Sequence, residues 1–258
     1  MRTSPPRHVL SAFGAAAEPE LLDGGQGRTW RSGGIVLKPV NNEAEAQWRA
    51  DLLAALPESA EFRVPRPIRS GESWTVDGWE ATALIPGTTD SKRWNDAIEV
   101  GAAFHAALAD LPRPDFLDTR NDWWSKADLD SWNLDLLPDE PRIQELAEAR
   151  LPVHLPHQPV HGDLLGNVLY EPGLPPAIID WPPYWRPASW AAAVIAIDAM
   201  CWNGADEKIL DRWAHLEAWP QMTLRALLYR MITDQYAGQR EPHPAYLPVI
   251  EAVLRRCG

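Results

Sequence analysis

Two short apolar runs, Val168-Leu169-Tyr170 and Ala177-Ile178-Ile179, stand on either side of the Pro/Gly-rich stretch from Glu171 to Pro176. Short β-prone runs around such a turn predict a hairpin. Closing it draws its polar flanks toward one another: His161, Asp163 and Asn167 before it, Asp180 after it. Asp163 and Asp180 can then converge although 17 positions separate them. Further strands are predicted at Ile35-Val36-Leu37-Lys38 and over Val64–Ile68, Ser73–Val76 and Trp79–Ile85. The last two are joined by Asp77-Gly78, a strong hairpin dipeptide. Helical spacing governs other stretches. Asn42 caps a helix through about Leu56, with Glu45 completing a capping-box-like pattern. Glu45, Trp48, Leu52 and Leu56 share one face of it. A second helix runs from Asp90 to about Ala109, with Trp94, Ile98, Gly101, Ala102, His105 and Leu108 on one side. Helices dominate after Asp180, including Ala191–Met200 and Leu224–Ile232. Near the start, Val9, Leu10 and Phe13 after Pro5-Pro6 predict a short amphipathic helix.

Composition narrows the classes. The chain of 258 residues is 45% hydrophobic, enough for one two-lobed domain or two small ones with a substantial core. Its net charge of −12 and pI of about 5.0 argue against nucleic acid or an anionic membrane as main partner. Only Cys201 and Cys257 occur, which excludes a disulfide framework and makes a reducing cytoplasm the expected location. No apolar run reaches membrane-spanning length, and the N-terminal run after Arg7 is too short and polar for a signal peptide.

The Asp163, Asn167 and Asp180 set suits phosphoryl transfer. One carboxylate can accept the proton of an attacking hydroxyl, while the Asn carbonyl and the other carboxylate are hard oxygen ligands for Mg²⁺ beside polyphosphate. Taken singly, Asp163 or Asn167 reads as an ordinary turn residue making local hydrogen bonds. Upstream, Gly24, Gly25 and Gly27 cluster before the Arg28–Arg31 segment, and such glycines let backbone N–H groups approach a phosphate, though they also make hairpin turns.

The string His161-Gly162-Asp163-Leu164, then Asn167, then Asp180-Trp181 after an apolar run resembles the aminoglycoside phosphotransferase-like kinases, which share the protein-kinase fold. The resemblance runs over about residues 19–236. It implies an α+β, bilobal protein-kinase-like fold: a small β-rich N-lobe over 1–86 and a larger helical C-lobe over 87–258. It implies Asp163 as catalytic base and Asn167 and Asp180 as magnesium ligands. Lys38, on the third strand, becomes the lysine that pairs with the α- and β-phosphates, behind a glycine loop of Gly24, Gly25 and Gly27. An acid on the following helix is expected to hold that lysine. Glu45 is the choice, with Glu43 and Asp51 as rivals. Ile85-Pro86-Gly87 resembles the hinge, so the backbone at Ala83 and Ile85 is expected to meet adenine. Two departures stand out. The family's Asn usually lies five residues after the Asp, here four; and where the family has a bracing Asp after the Pro-rich turn, this chain has Ser189. Asp198, inside an apolar run, is a substitute brace, and Arg186 is either its partner or exposed.

The implied reaction is ATP- and Mg²⁺-dependent phosphorylation of a hydroxyl on a small molecule: an aminoglycoside, amino sugar or other amino alcohol. A rival reading is a nucleotide-binding pseudokinase that regulates a protein partner. Over residues 90–140 there are twelve acids against five Lys/Arg. This segment reads either as a solvated helix with its tryptophans packed inward or as a lid over a cationic acceptor, with Asp122, Trp124 and Asp128 as contacts and Asp130 beside them. His105 reads as a buried structural residue. His154, His157 and His161 lie among prolines and do not read as a zinc site.

Overall fold

The computed structural model describes residues 4–22, 27–133, 137–239 and 241–257. It divides into two compact units, the first made of residues 1–89, 114–118 and 168–180, the second of 90–113, 119–167 and 181–258.

The first unit is built on a five-stranded antiparallel sheet: β1 (Glu20–Leu21), β2 (Trp30–Ser32), β3 (Ile35–Pro39), β4 (Thr75–Val76) and β5 (Trp79–Ala83), in the order β1-β2-β3-β5-β4. Strand alternation sorts its faces. Leu37, wholly buried, joins Trp79 and Ala81 beneath Val9, Leu10 and Phe13, and the last three come from α1 (Arg7–Ala12) and the residue after it. Lys38 therefore faces the other way, opposite Glu80 in register. The predicted helix after Asn42 is α2 (Glu43–Ala55), and the Asn42 side chain accepts from Glu45 N–H. The Asp77-Gly78 turn has positive φ at both residues, as a two-residue hairpin of type I′ requires. Val64–Ile68 forms no strand; it makes isolated bridges such as Pro67 to Thr82, two prolines having removed ladder donors.

The hairpin of β8 (Val168–Tyr170) and β9 (Ala177–Ile178) pairs as its pattern predicts, and β6 (Thr88–Thr89) adds a third strand. It belongs to the first compact unit, whereas the sequence reading put it in the C-terminal part. Backbone hydrogen bonds explain this: Arg63 N–H donates to Pro176 C=O and Ile178 N–H to Arg63 C=O, both at 2.8 Å. The Arg63 guanidinium adds bonds to Pro175 C=O (2.7 Å) and Pro86 C=O (3.2 Å).

Helices form most of the second unit: α3 (Trp94–Ala107), α4 (Trp123–Trp132), α5 (Pro141–Glu148), α6 (Ala188–Trp202), α7 (Lys208–Arg212), α8 (Trp219–Tyr236) and α9 (Tyr246–Cys257). A two-stranded ribbon, β7 (Gln158–His161) with β10 (Pro183–Arg186), completes it. The apolar run of α6 has no polar face, so it is buried all round against α3, α8 and α9. Among the described residues no helix is long and apolar enough to cross a membrane.

His105 of α3 lies wholly inside this unit. Its Nε2 accepts from His161 N–H at 3.0 Å, and its carbonyl accepts from Gln158 Nε2 at 2.5 Å. Burial, with His161 adding to it, pushes its pKa down to about 3, so the ring stays neutral and keeps its acceptor lone pair. In the unfolded chain this imidazole titrates near 6.5. The neutral ring therefore stabilises the fold fully above that pH, and its contribution is lost as pH falls from 6.5 toward 3. Urea unfolding across that window should show a slope from this residue of up to about 1.4 kcal/mol per pH unit. His105→Gln keeps an acceptor without the titration and should flatten the slope; an unchanged slope would refute the assignment.

Candidate functional site

The motif loop leaves the end of β7 under tight steric control. A Cβ on Gly162 would fall 2.4 and 2.5 Å from carbons of the Tyr184 ring, so only glycine fits. Tyr184 is fixed in turn by its hydroxyl contact with Tyr229 (2.9 Å) and by the Arg120 guanidinium 5.0 Å above its ring. His161 is wholly buried, and its Nδ1 accepts from Asp163 N–H at 3.1 Å. Leu164 is buried against Gly101 of α3, where a Cβ would come within 2.8 Å of it. These contacts plug the loop into the helical core on both sides of Asp163 and leave the Asp163 side chain 51% exposed.

Asn167 donates from Nδ2 to Asp163 C=O at 2.6 Å, and its backbone N–H bonds Leu164 C=O at 2.9 Å. The loop that is one residue shorter than the family pattern is thus closed by the Asn amide itself. Its Oδ1 accepts no hydrogen bond from the described residues.

Sequence reading missed Arg230. From α8 its Nε donates to Asp198 Oδ1 at 2.8 Å and its Nη2 reaches both Asp198 Oδ2 and, at 2.7 Å, Asp163 Oδ1. Arg230 and Asp198 side chains are only 14% and 10% exposed. Burial opposes the Arg230 charge, but Asp198 and Asp163 outweigh it and hold its pKa well above the ordinary value. Asp198, the substitute brace, reaches the loop through this guanidinium. The signal was available: Arg230 stands inside the apolar run Leu224–Ile232, and a charge there must find a partner. What the run could not show is which one, since Asp163 lies 67 positions away.

In the first unit Lys38 Nζ donates to Asp180 Oδ1 at 2.6 Å. Asp180 has φ of +51°, a left-handed conformation rare outside glycine. Glu45, the acid expected to hold the lysine, bonds Arg49 instead at 3.1 Å, and Arg49 also grips Glu80 at 2.6 and 2.7 Å. The reason is register: Glu80 opposes Lys38 across the strands and brings a guanidinium to this face, which takes the helix carboxylate one turn away. Of the rival acids, Glu43 accepts from the Thr75 hydroxyl and Asp51 from Trp74 Nε1 at 2.7 Å. Gly27 has φ of +66°; Gly24 and Gly25 lie outside the described residues. Ala83 N–H is taken by Arg66 C=O at 2.8 Å, so it is not open to a ligand. Ile85 lines a cavity of about 380 Å³ with Phe62, Arg63 and Val64.

The acids expected to face a cationic acceptor have other duties. Asp122 caps α4 through Ser125 N–H (2.8 Å) and pairs with Arg120. Asp128 is buried and bound by Arg186 through both oxygens at 2.7 and 2.8 Å. Burial outweighs that pairing in setting its pKa, which lies above the usual carboxylate value. Arg186 therefore serves Asp128 and not Asp198. Asp130 accepts from the Tyr236 hydroxyl at 2.5 Å. Trp124 is half-buried and meets Trp123 edge-on at 5.0 Å, while Trp123 is 44% exposed. The helix is closer to the first of the two readings, acids serving structure and tryptophans partly inward.

Among the described residues no group of three or more His, Cys, Asp or Glu could hold a metal. Asn167 Oδ1, in the second unit, and the Asp180 carboxylate, in the first, are each a hard oxygen of the kind Mg²⁺ takes.

No curated protein matches the chain. Among solved structures, a thermostable mutant of aminoglycoside phosphotransferase APH(4)-Ia, in ternary complex with ADP and hygromycin B, is 16% identical with 98% of each chain covered and a TM-score of 0.61. Spectinomycin phosphotransferase APH(9)-Ia, in complex with ADP and spectinomycin, is 14% identical over 97% of this chain and 95% of that one, TM-score 0.56. A choline/ethanolamine kinase family protein from Mesorhizobium loti is 20% identical over 95% and 88%, TM-score 0.51. These likenesses establish the expected kinase-like α+β fold. The model of the phosphotransferase enzyme family matches residues 28–184, a span that takes in Lys38 and the whole loop and hairpin from His161 to Asp180. The chain belongs to the phosphotransferase enzyme family, the enzyme class its motifs imply.

Proposed function

We propose that the protein transfers the γ-phosphoryl group of ATP to a hydroxyl of a small molecule. The observation that carries the reading is Asp163, fixed at both neighbours and held at one oxygen, yet half-exposed, with an Oδ2 that accepts nothing from the described residues. Such a carboxylate is placed to take a proton from an approaching hydroxyl. Asn167 and Asp180 are the proposed Mg²⁺ ligands. The metal would offset charge on the phosphates, while Asp163 orients and deprotonates the acceptor. The neighbours' hygromycin B and spectinomycin make aminocyclitol and amino-sugar alcohols the first acceptors to try, with amino alcohols beside them. A location in the cytoplasm fits such a substrate and a nucleotide cosubstrate.

Lys38 is the proposed phosphate ligand, together with the Gly24–Gly27 loop and the backbone at Ala83 and Ile85. Its bond to Asp180 is part-exposed and contributes about 0–1 kcal/mol. Nucleotide at 100 times its Kd adds roughly 2.7 kcal/mol, so ligand can open the pair. ATP or ADP with Mg²⁺ should therefore raise Tm measurably. Asp180→Ala should remove the magnesium-dependent part of the rise, and Lys38→Met should weaken the nucleotide effect itself. No rise in wild type at saturating nucleotide would remove the basis of the reading.

Chemistry is separated from binding by Asp163→Asn, which keeps shape and cannot accept a proton. Turnover should fall about 10²-fold or more with the nucleotide Tm shift retained. A panel of aminoglycosides, amino sugars and choline-like alcohols, screened for ATP consumption, supplies the acceptor. Nucleotide binding without turnover of any of them would favour the regulatory pseudokinase.

Asp128 and Arg186 give a control. Removing one partner of a buried pair costs about 3–5 kcal/mol, so Asp128→Asn should lower Tm by several degrees. It should leave acceptor KM unchanged. A raised KM at unaltered Tm would restore Asp128 as an acceptor contact.

A further inference from the structure

Arg230 is a largely buried charged group that the proposed chemistry has not yet used. Its guanidinium is divided between two carboxylates of different character. Asp198, on α6, is nearly buried and takes two of its bonds, Nε to Oδ1 at 2.8 Å and Nη2 to Oδ2. Asp163 is half-exposed and takes a single bond, Nη2 to Oδ1 at 2.7 Å. The fork to Asp198 fixes the plane of the guanidinium, because two parallel N–H···O bonds leave it little rotational freedom. The third bond then fixes Asp163, whose side-chain oxygens meet no other donor among the described residues. Backbone contacts set where Asp163 stands; among the described residues only Arg230 sets how its carboxylate is turned.

We infer that Arg230 is a positioning residue: anchored by Asp198, it holds Asp163 Oδ1 so that Oδ2 is presented to the acceptor hydroxyl. The inference rests on the phosphotransfer reading. It also accounts for Ser189, because the brace arrives from α6 and α8 through a side chain. Lysine cannot replace this arginine. An ammonium has no planar fork and can satisfy Asp198 or reach Asp163, without fixing the angle between them.

The test uses the full chain with ATP, Mg²⁺ and an acceptor that wild type turns over. Arg230→Lys keeps the charge beside Asp198 and should stay folded. Its kcat should fall roughly 10- to 10²-fold, the scale of a misplaced reacting group, with acceptor KM and the nucleotide Tm shift within about twofold of wild type. A merely structural role would lower Tm and leave the kcat of the folded enzyme alone. The decisive arm is a double-mutant cycle: adding Arg230→Lys to Asp163→Asn should cost almost nothing further, since the carboxylate it positions has already lost its function. Should Arg230→Lys unfold, the neutral pair Arg230→Gln with Asp198→Asn removes the anchor without stranding a buried charge, and the same kcat loss and non-additivity are expected. Losses that multiply in the cycle, or a kcat within twofold of wild type, would overturn the positioning role while phosphotransfer stood. A wild type that turns over no acceptor would overturn phosphotransfer itself, and the role of Arg230 with it.

Discussion

One hydrogen bond inside the helical unit underlies the loop that carries Asp163: His161 N–H to His105 Nε2. It forms only while His105 is neutral, and burial in α3 makes it neutral. Everything downstream inherits that condition. His161, held at its backbone, uses its ring nitrogen to accept from Asp163 N–H, and the Asn167 amide closes the loop on Asp163 C=O. A histidine that reads as inert core thereby sets the position of the residue proposed to act on substrate. The chain of dependence runs from an apolar helix face, through a proton that is absent, to an exposed carboxylate.

The charges are organised by a different rule. Two buried acids of the second unit are each matched to one arginine on a remote element, Asp128 with Arg186 and Asp198 with Arg230. In the first unit Arg49 is shared by Glu45 and Glu80. Pairs like these contribute little to net stability and are costly to break, so they act chiefly as registration marks between elements. Asp163 and Asp180 differ because each stays part-exposed beside its ionic partner.

Local chemistry is what could be read ahead of the fold. The hairpin around Glu171–Pro176, the Asn42 cap, the Asp77-Gly78 turn and the His161–Asp180 string each declare themselves within about a dozen residues or by a strong motif. Partner choice was not legible. Glu45 shares a helix face with Trp48 and Leu52, yet which cation it meets depends on Glu80, which strand register brings in from 35 positions away. Asp122 and Asp128 looked like a charged surface because a count of acids cannot distinguish a cap or a buried pair from a solvated side chain. The hairpin was assigned to the C-terminal part because no periodicity reveals that Arg63 will bond Pro175, Pro176 and Ile178.

Gly162 and Tyr184 carry a consequence for how such a loop can change over generations. The ring occupies the volume that any side chain at 162 would need, so the two positions cannot drift independently. A lineage reaching alanine at 162 has first to shrink the residue at 184. That step forfeits the hydroxyl contact with Tyr229 and the surface under Arg120. Related chains should therefore keep glycine and the large ring as a pair or lose both, and a mismatch between the two positions would mark a loop that no longer seats its aspartate.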